Sequence, residues 1–133
     1  MGLSAMPLFA ALGEKMQWHQ VRQGILAENV ANAETPGYRA RDIEQFSVSE
    51  ASGRSSVQLT TTRAGHLAAV GSAGDGRWST ARDEGFEVTP NGNGVSLEDE
   101  MMKVTANQMD YQTAATLYTR SMRLIRTALG RQA

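Results

Sequence analysis

The chain has 133 residues, 41% of them hydrophobic and 20% charged, with a net charge of −1 and no cysteine. That is one domain's length in an ordinary soluble composition. The charge balance leaves no footprint for nucleic acid, no Lys/Arg run marks a basic membrane patch, and the missing thiols exclude disulfides and thiolate zinc sites.

The longest wholly apolar run near the start, Leu8 to Leu12, is far short of the roughly 18 to 20 residues that span a membrane. The first residues also lack a basic stretch followed by an apolar core and a small-residue cleavage site, so any export is expected to proceed without a cleaved signal peptide. A helix is expected over about residues 7 to 33. Pro7 suits a first helical turn and Ser4 can cap it. Leu8, Leu12, Met16, His19, Gln23, Leu26, Val30 and Ala33 then recur at steps of four or three, with Trp18, Val21 and Ile25 widening the apolar face. His19 and Gln23 interrupt this stripe, and Gly24 lowers the helicity by about 1 kcal/mol relative to Ala.

The helix has reasons to stop. A residue before proline is pushed out of the α region, so Thr35 is expected to be extended, and Pro36-Gly37 are a preferred central pair for a type II turn. Asn32 stands where its side chain can bond the freed backbone groups. Beyond the turn, residues 45 to 54 are polar and loop-like, and most of the 13 glycines fall between Gly53 and Gly94. Short strands are expected over Ser55–Thr62, where Val57, Leu59 and Thr61 alternate, and over Gly85–Pro90, where Phe86 and Val88 share a face. Gly65 to Asp83 reads as a mobile loop, so a small β-hairpin is the most structure this middle offers.

The C-terminal stretch has the purest pattern. Leu97, Met101, Val104, Gln108, Tyr111, Ala115, Tyr118, Met122, Ile125 and Leu129 follow at alternating steps of four and three, and only Gln108 is not apolar. Ser96 can cap this helix with Asp99 three residues on, while Glu98, Asp99 and Glu100 lie at the positive end of its dipole. Arg120, Arg123 and Arg126 lie towards the negative end, and Gly130 can stop it. Such a helix would be about 50 Å long. Burying a seam residue yields roughly 1.5 to 3 kcal/mol and ordering one costs about 1.5, so the helix is marginal alone and needs a partner along its seam.

No catalytic or metal constellation accompanies these elements. His19 and His66 have no partner at ligand spacing, no serine sits in a Gly-x-Ser-x-Gly elbow, and no glycine run forms a phosphate cradle. The expectation is a non-enzymatic chain with no cofactor and no small-molecule substrate. Gln108 can fix register, or lie at the edge and bond water. The expected organisation is residues 1–38, an N-terminal helix with its turn; residues 39–94, a Gly/Ser-rich middle with short strands; and residues 95–133, a C-terminal coiled-coil helix, the two ends forming one unit. The fold class is mainly α: two long helices packed as a coiled-coil hairpin. One hairpin leaves apolar faces uncovered, which a closed coiled-coil dimer or an open side-by-side array could cover equally well. An adaptor or export chaperone would be of the first kind.

The run Asn29, Ala31, Asn32, Ala33, Thr35, Pro36, Gly37, Tyr38, closing an amphipathic helix near the N-terminus, resembles the signature of the bacterial flagellar basal-body rod and hook proteins. Arg39-Ala40-Arg41-Asp42-Ile43 with Phe46 is similar to the form it takes in one of the short proximal-rod subunits, and the choice of that subunit over its sister FlgC rests chiefly on Arg41-Asp42-Ile43 and the Val95–Glu100 opening. Asn93-Gly94-Val95-Ser96-Leu97-Glu98-Asp99-Glu100-Met101, then Asn107-Gln108 and Tyr111-Gln112, extend the resemblance to the C-terminus. It implies a structural subunit whose terminal helices stack into the rod that carries motor rotation across the periplasm. The expected assembly surface is then Leu8, Leu12, Met16, Leu26 and Val30 with Leu97, Met101, Val104, Gln108, Tyr111, Tyr118, Met122, Ile125 and Leu129. The partners it implies are copies of this chain, rod proteins of the FlgC and FlgF type, the FliE adaptor and the membrane-ring and export-gate base, reached by flagellar type III export.

Overall fold

The computed structural model describes residues 7–48, 78–83 and 87–130. Helix α1 spans Pro7–Ala31, strand β1 Arg41–Ile43, strand β2 Thr80–Arg82 and helix α2 Leu97–Ala128. Both helices follow from the patterns above. Pro7 opens α1, and Ser96, in extended conformation, caps α2 by accepting from the Asp99 amide. Gly130, at φ +68°, turns the chain off the end of α2, a left-handed position that glycine enters without steric cost.

The helices pack as an antiparallel hairpin. Phe9 meets Tyr118 edge-on at 5.3 Å between ring centroids, His19 meets Asn107, and Asn29 meets Glu100. The innermost residues of α2 are Glu100, Asn107 and Ala114, spaced by seven as a coiled-coil seam requires. Each stands one position before a residue of the expected seam, so the helix is turned relative to that reading. Val104, Tyr111, Ala115, Tyr118, Met122 and Ile125 are half-buried at the edges of the contact, whereas Leu97, Met101, Gln108 and Leu129 are exposed. The apolar core is Phe9, Trp18, Leu26, Ala40, Ile43 and Ala114.

The small sheet lies elsewhere than expected. β1 and β2 pair antiparallel with Asp42 opposite Ala81, and the ladder is extended by Glu44 N–H to Ser79 C=O at 3.0 Å and Asp83 N–H to Ala40 C=O at 2.9 Å. β2 thus falls in the stretch read as a mobile loop, and β1 in the run that follows the turn. Of the expected strand over Gly85–Pro90, the described residues 87–89 lie outside any strand and Pro90 is in a turn; Thr89 accepts the Gly92 amide and donates its own to Asn93 C=O instead of pairing in a ladder. The expected strand over residues 55–62 lies outside the described residues, as do Ser4 and His66. What seats β1 is α1: Trp18 donates its indole N–H to Glu44 C=O at 2.8 Å, and Arg22 lies over the Trp18 ring while forking onto Asp42 at 3.0 and 2.8 Å. The Asp42 hydrogen bond raises the Arg22 pKa above its ordinary value despite the opposing effect of burial.

Candidate functional site

The signature turn is built from backbone bonds. Tyr38 N–H reaches Thr35 C=O at 3.2 Å across Pro36-Gly37, and Gly37 takes φ +73°, as the third residue of a type II turn must. Asn32 bonds back to Glu28 C=O at 2.8 Å through its amide and accepts the Thr35 hydroxyl at 3.1 Å. Pro36, Thr35 and Gly37 are exposed, Ala33 is half-buried, and Ala31 is the exposed last residue of α1. Local turn chemistry therefore accounts for the tip of the motif and leaves Asn29 and Tyr38 to be explained.

Asn29 is 1% exposed and uses its whole amide. Its Nδ2 donates to Arg41 C=O at 2.7 Å and to a Glu100 carboxylate oxygen at 2.9 Å. Its Oδ1 accepts from Arg41 N–H at 3.0 Å and from the Tyr38 hydroxyl at 3.2 Å. One side chain on α1 thus imitates a strand neighbour for β1 and also holds the first turns of α2. Asn93, also 1% exposed, reciprocates from the other side: its Nδ2 donates to Asn32 C=O at 2.9 Å and Thr35 C=O at 2.7 Å, and its Oδ1 accepts from Val95 N–H at 2.9 Å. Backbone bonds from Gly37 N–H to Asn91 C=O and from Gly94 N–H to Tyr38 C=O close the contact. A Cβ on Gly94 would meet the Arg39 side chain at 3.0 Å, so the two segments approach where glycine permits it.

Glu100 makes this clasp expensive to disturb. It is 2% exposed, and a buried carboxylate is tolerated only when paired and hydrogen-bonded. Asn29 supplies one donor and Lys103 Nζ the other at 3.1 Å, while Lys103 also bridges to Asp83, directly after β2. Burial lowers the Lys103 pKa, but its bonds to Asp83 and Glu100 together raise it above the ordinary lysine value. A chain of polar contacts therefore runs from Tyr38 through Asn29, Glu100 and Lys103 to Asp83.

A second polar layer lies farther along the hairpin. Asn107 Nδ2 donates to His19 C=O at 2.9 Å and to Gln23 Oε1 at 3.0 Å, so its Oδ1, 2.7 Å from His19 Nδ1, is the acceptor and Nδ1 carries the proton. The buried His19 Nε2 has no hydrogen-bond partner among the described residues. His19 is thus packed against α2 and holds its register. No group of His, Asp and Glu that could hold a metal ion occurs among the described residues, and no described helix is long and apolar enough to cross a membrane.

The expected assembly residues divide by depth. Leu26 is completely buried inside the hairpin, Leu8, Leu97, Met101 and Leu129 are at least half exposed, and Leu12, Met16, Val30, Val104, Tyr111, Tyr118, Met122 and Ile125 are half-buried. Sequence reasoning missed Asn93, Glu100 and Asn107. The signal was present: Glu100 and Asn107 stand seven apart, and Asn93 and Asn107 both lie in segments that carry the resemblance.

Comparison with known proteins supports the same assignment. A family profile described as "Flagella basal body rod protein" matches residues 16–39, the end of α1 and the turn. The chain is similar to the flagellar basal body rod protein FlgB of Cereibacter sphaeroides, 38% identical over 112 residues that cover 83% of this chain and 84% of that protein. FlgB of Salmonella typhimurium is 33% identical over 114 residues, covering 78% and 79% of the two chains, and FlgB of Agrobacterium fabrum is 29% identical over 114 residues, covering 83% of each.

Proposed function

Since the chain belongs to the flagellar basal-body rod protein family, among the FlgB proteins, and is a structural subunit of that rod and not an enzyme, we propose that it builds the proximal rod as a clasped two-helix strut. The observation that carries this reading is an imbalance in one hairpin. Its inner contacts at the turn end are directional polar bonds, while outside them, at both ends, Leu8, Leu97, Met101 and Leu129 stay at least half exposed and Met122 and Ile125 are only half covered. Exposed apolar side chains along both helices fit a surface that neighbours cover, and a subunit whose own geometry is rigid can pass torque through it, because close-packed contacts transmit strain.

In this reading the two ends of the chain, residues 1–38 and 95–133, act as one unit and the 39–94 stretch is an insert between them. The partners are copies of the chain, rod proteins of the FlgC and FlgF type, and FliE with the membrane-ring and export-gate base. The site is the periplasmic rod, reached by flagellar type III export without signal cleavage. The assembly residues are those given above, apart from Leu26, which reaches no neighbour. Copurification of the chain with detergent-extracted basal bodies tests the placement directly. Replacing Met122 or Ile125 with Asp should leave synthesis intact and abolish swimming; normal swimming by such a strain would overturn the proposal.

A further inference from the structure

Outside the contact with α1, the exposed surface of α2 carries its own apolar line. Met102 (71% exposed), Met109 (63%), Leu117 (49%) and Leu124 (71%) follow at steps of seven, eight and seven residues, close to the roughly 7.2 residues of two undistorted turns. Met102 and Met109 stand two residues past the buried Glu100 and Asn107, about 160° round the helix, while Leu117 stands three past Ala114 and keeps to its flank. Thr113, between them, donates its hydroxyl to Met109 C=O at 3.0 Å, so this polar group is satisfied within the helix and asks nothing of a partner.

The two ends of this line differ in charge. Glu98 and Asp99 flank Met102, Arg120 and Arg123 flank Leu124, and all four are exposed without an ion-pair partner among the described residues. From Glu98 to Arg120, and from Met102 to Leu124, is the same step of 22 residues. Six helical turns take about 21.6 residues, so that step returns to the same face. Sliding one α2 past another by this amount sets Glu98 beside Arg120 and Met102 beside Leu124 together.

Resting on the rod reading above, we infer that a second copy of this chain docks the acidic start of its α2 on the basic end of the first, the helices parallel and displaced by about 33 Å. The contact joins unlike surfaces, so each copy keeps one free end of each kind and the array does not close. Parallel packing in register would set like charges side by side, which is repulsive. An antiparallel pair would match the charges but close on itself at two copies.

The test is sedimentation velocity and light scattering on the full-length chain and two charge variants, Glu98→Lys with Asp99→Lys and Arg120→Glu with Arg123→Glu, with helicity checked by circular dichroism. Each variant alone should need about tenfold more protein to associate. Mixed in equal amounts they should recover association, since the basic start of one then meets the acidic end of the other, and the mass should grow past two copies. Variants that associate like the parent overturn the inference, as does a mixture that stops at a dimer. The parent chain in isolated basal bodies separates the outcomes: found there while the charge variants associate normally, it leaves the rod reading standing and this docking wrong; its absence removes the rod reading itself.

Discussion

The two ends of the hairpin are held by different physics. At the turn end Asn29, Asn93 and Glu100, each no more than 2% exposed, are fixed by bonds of defined direction to backbone and side chains on both helices and β1. At the far end the helices meet through the Phe9 and Tyr118 rings, and α2 then runs on to Ala128 where α1 has only Leu8 and Pro7 before Phe9. There Leu124 and Leu129 are 71% and 72% exposed. A polar clasp accepts one geometry because a misplaced buried donor or acceptor costs about 1–3 kcal/mol. Apolar surface is less selective, which suits a region left for neighbours.

Substitutions should separate the two regimes. The largest effect is expected for Asn29→Asp, which sets a second carboxylate 2.9 Å from Glu100 and removes the donor to Arg41 C=O; a loss on the order of 4 kcal/mol in urea unfolding is expected. Asn93→Ala should cost about 2 kcal/mol, because the Asn32 and Thr35 carbonyls lose their donor inside a closed contact. At the far end Tyr118→Leu, which keeps apolar cover over Phe9 and removes the edge-on ring pair, should cost only about 1 kcal/mol. If it costs as much as the clasp substitutions, the contrast between the ends is false.

The smallest effect is a pH dependence. Lys103 is raised in the folded chain by Asp83 and Glu100 acting against burial, so its contribution is complete below the pKa of an unfolded lysine and is lost as pH rises through the higher folded value. Unfolding midpoints should hold through neutral pH and fall above about pH 10.5, and Lys103→Met should remove that part of the fall. An alkaline slope unchanged in Lys103→Met would show that the bridge to Asp83 and Glu100 adds nothing.

The helices were legible because their signals are local: a serine cap, a proline start, a glycine stop and apolar residues at steps of three and four. The turn was legible for the same reason, since Thr35-Pro36-Gly37 restricts its own backbone. The inner face of α2 was not. Apolar periodicity points to Met101 and Gln108, yet Glu100 and Asn107 lie innermost, because Asn29 and His19 wait for them across the hairpin, 71 and 88 residues away in sequence. Asn107 and Gln108 show how narrow the difference is: adjacent amides, of which the second drew notice as an interruption of the seam and the first is buried. The strands escaped because each is three residues long and exists by virtue of its partner, and because Asn29 and Trp18 seat β1 on α1 through backbone groups that carry no sequence pattern.

Backbone hydrogen exchange, compared between the isolated chain and the chain in purified basal bodies, measures the contrast between the ends most directly. Amides of Arg41 and Val95, which bond to Asn29 and Asn93, should be slow in both states, while those of Met122 to Leu129 should exchange fast in the isolated chain kept dilute enough to be monomeric and become protected in the rod. Strong protection of Met122 to Leu129 in the isolated chain would mean that this surface is already covered, and would contradict the account.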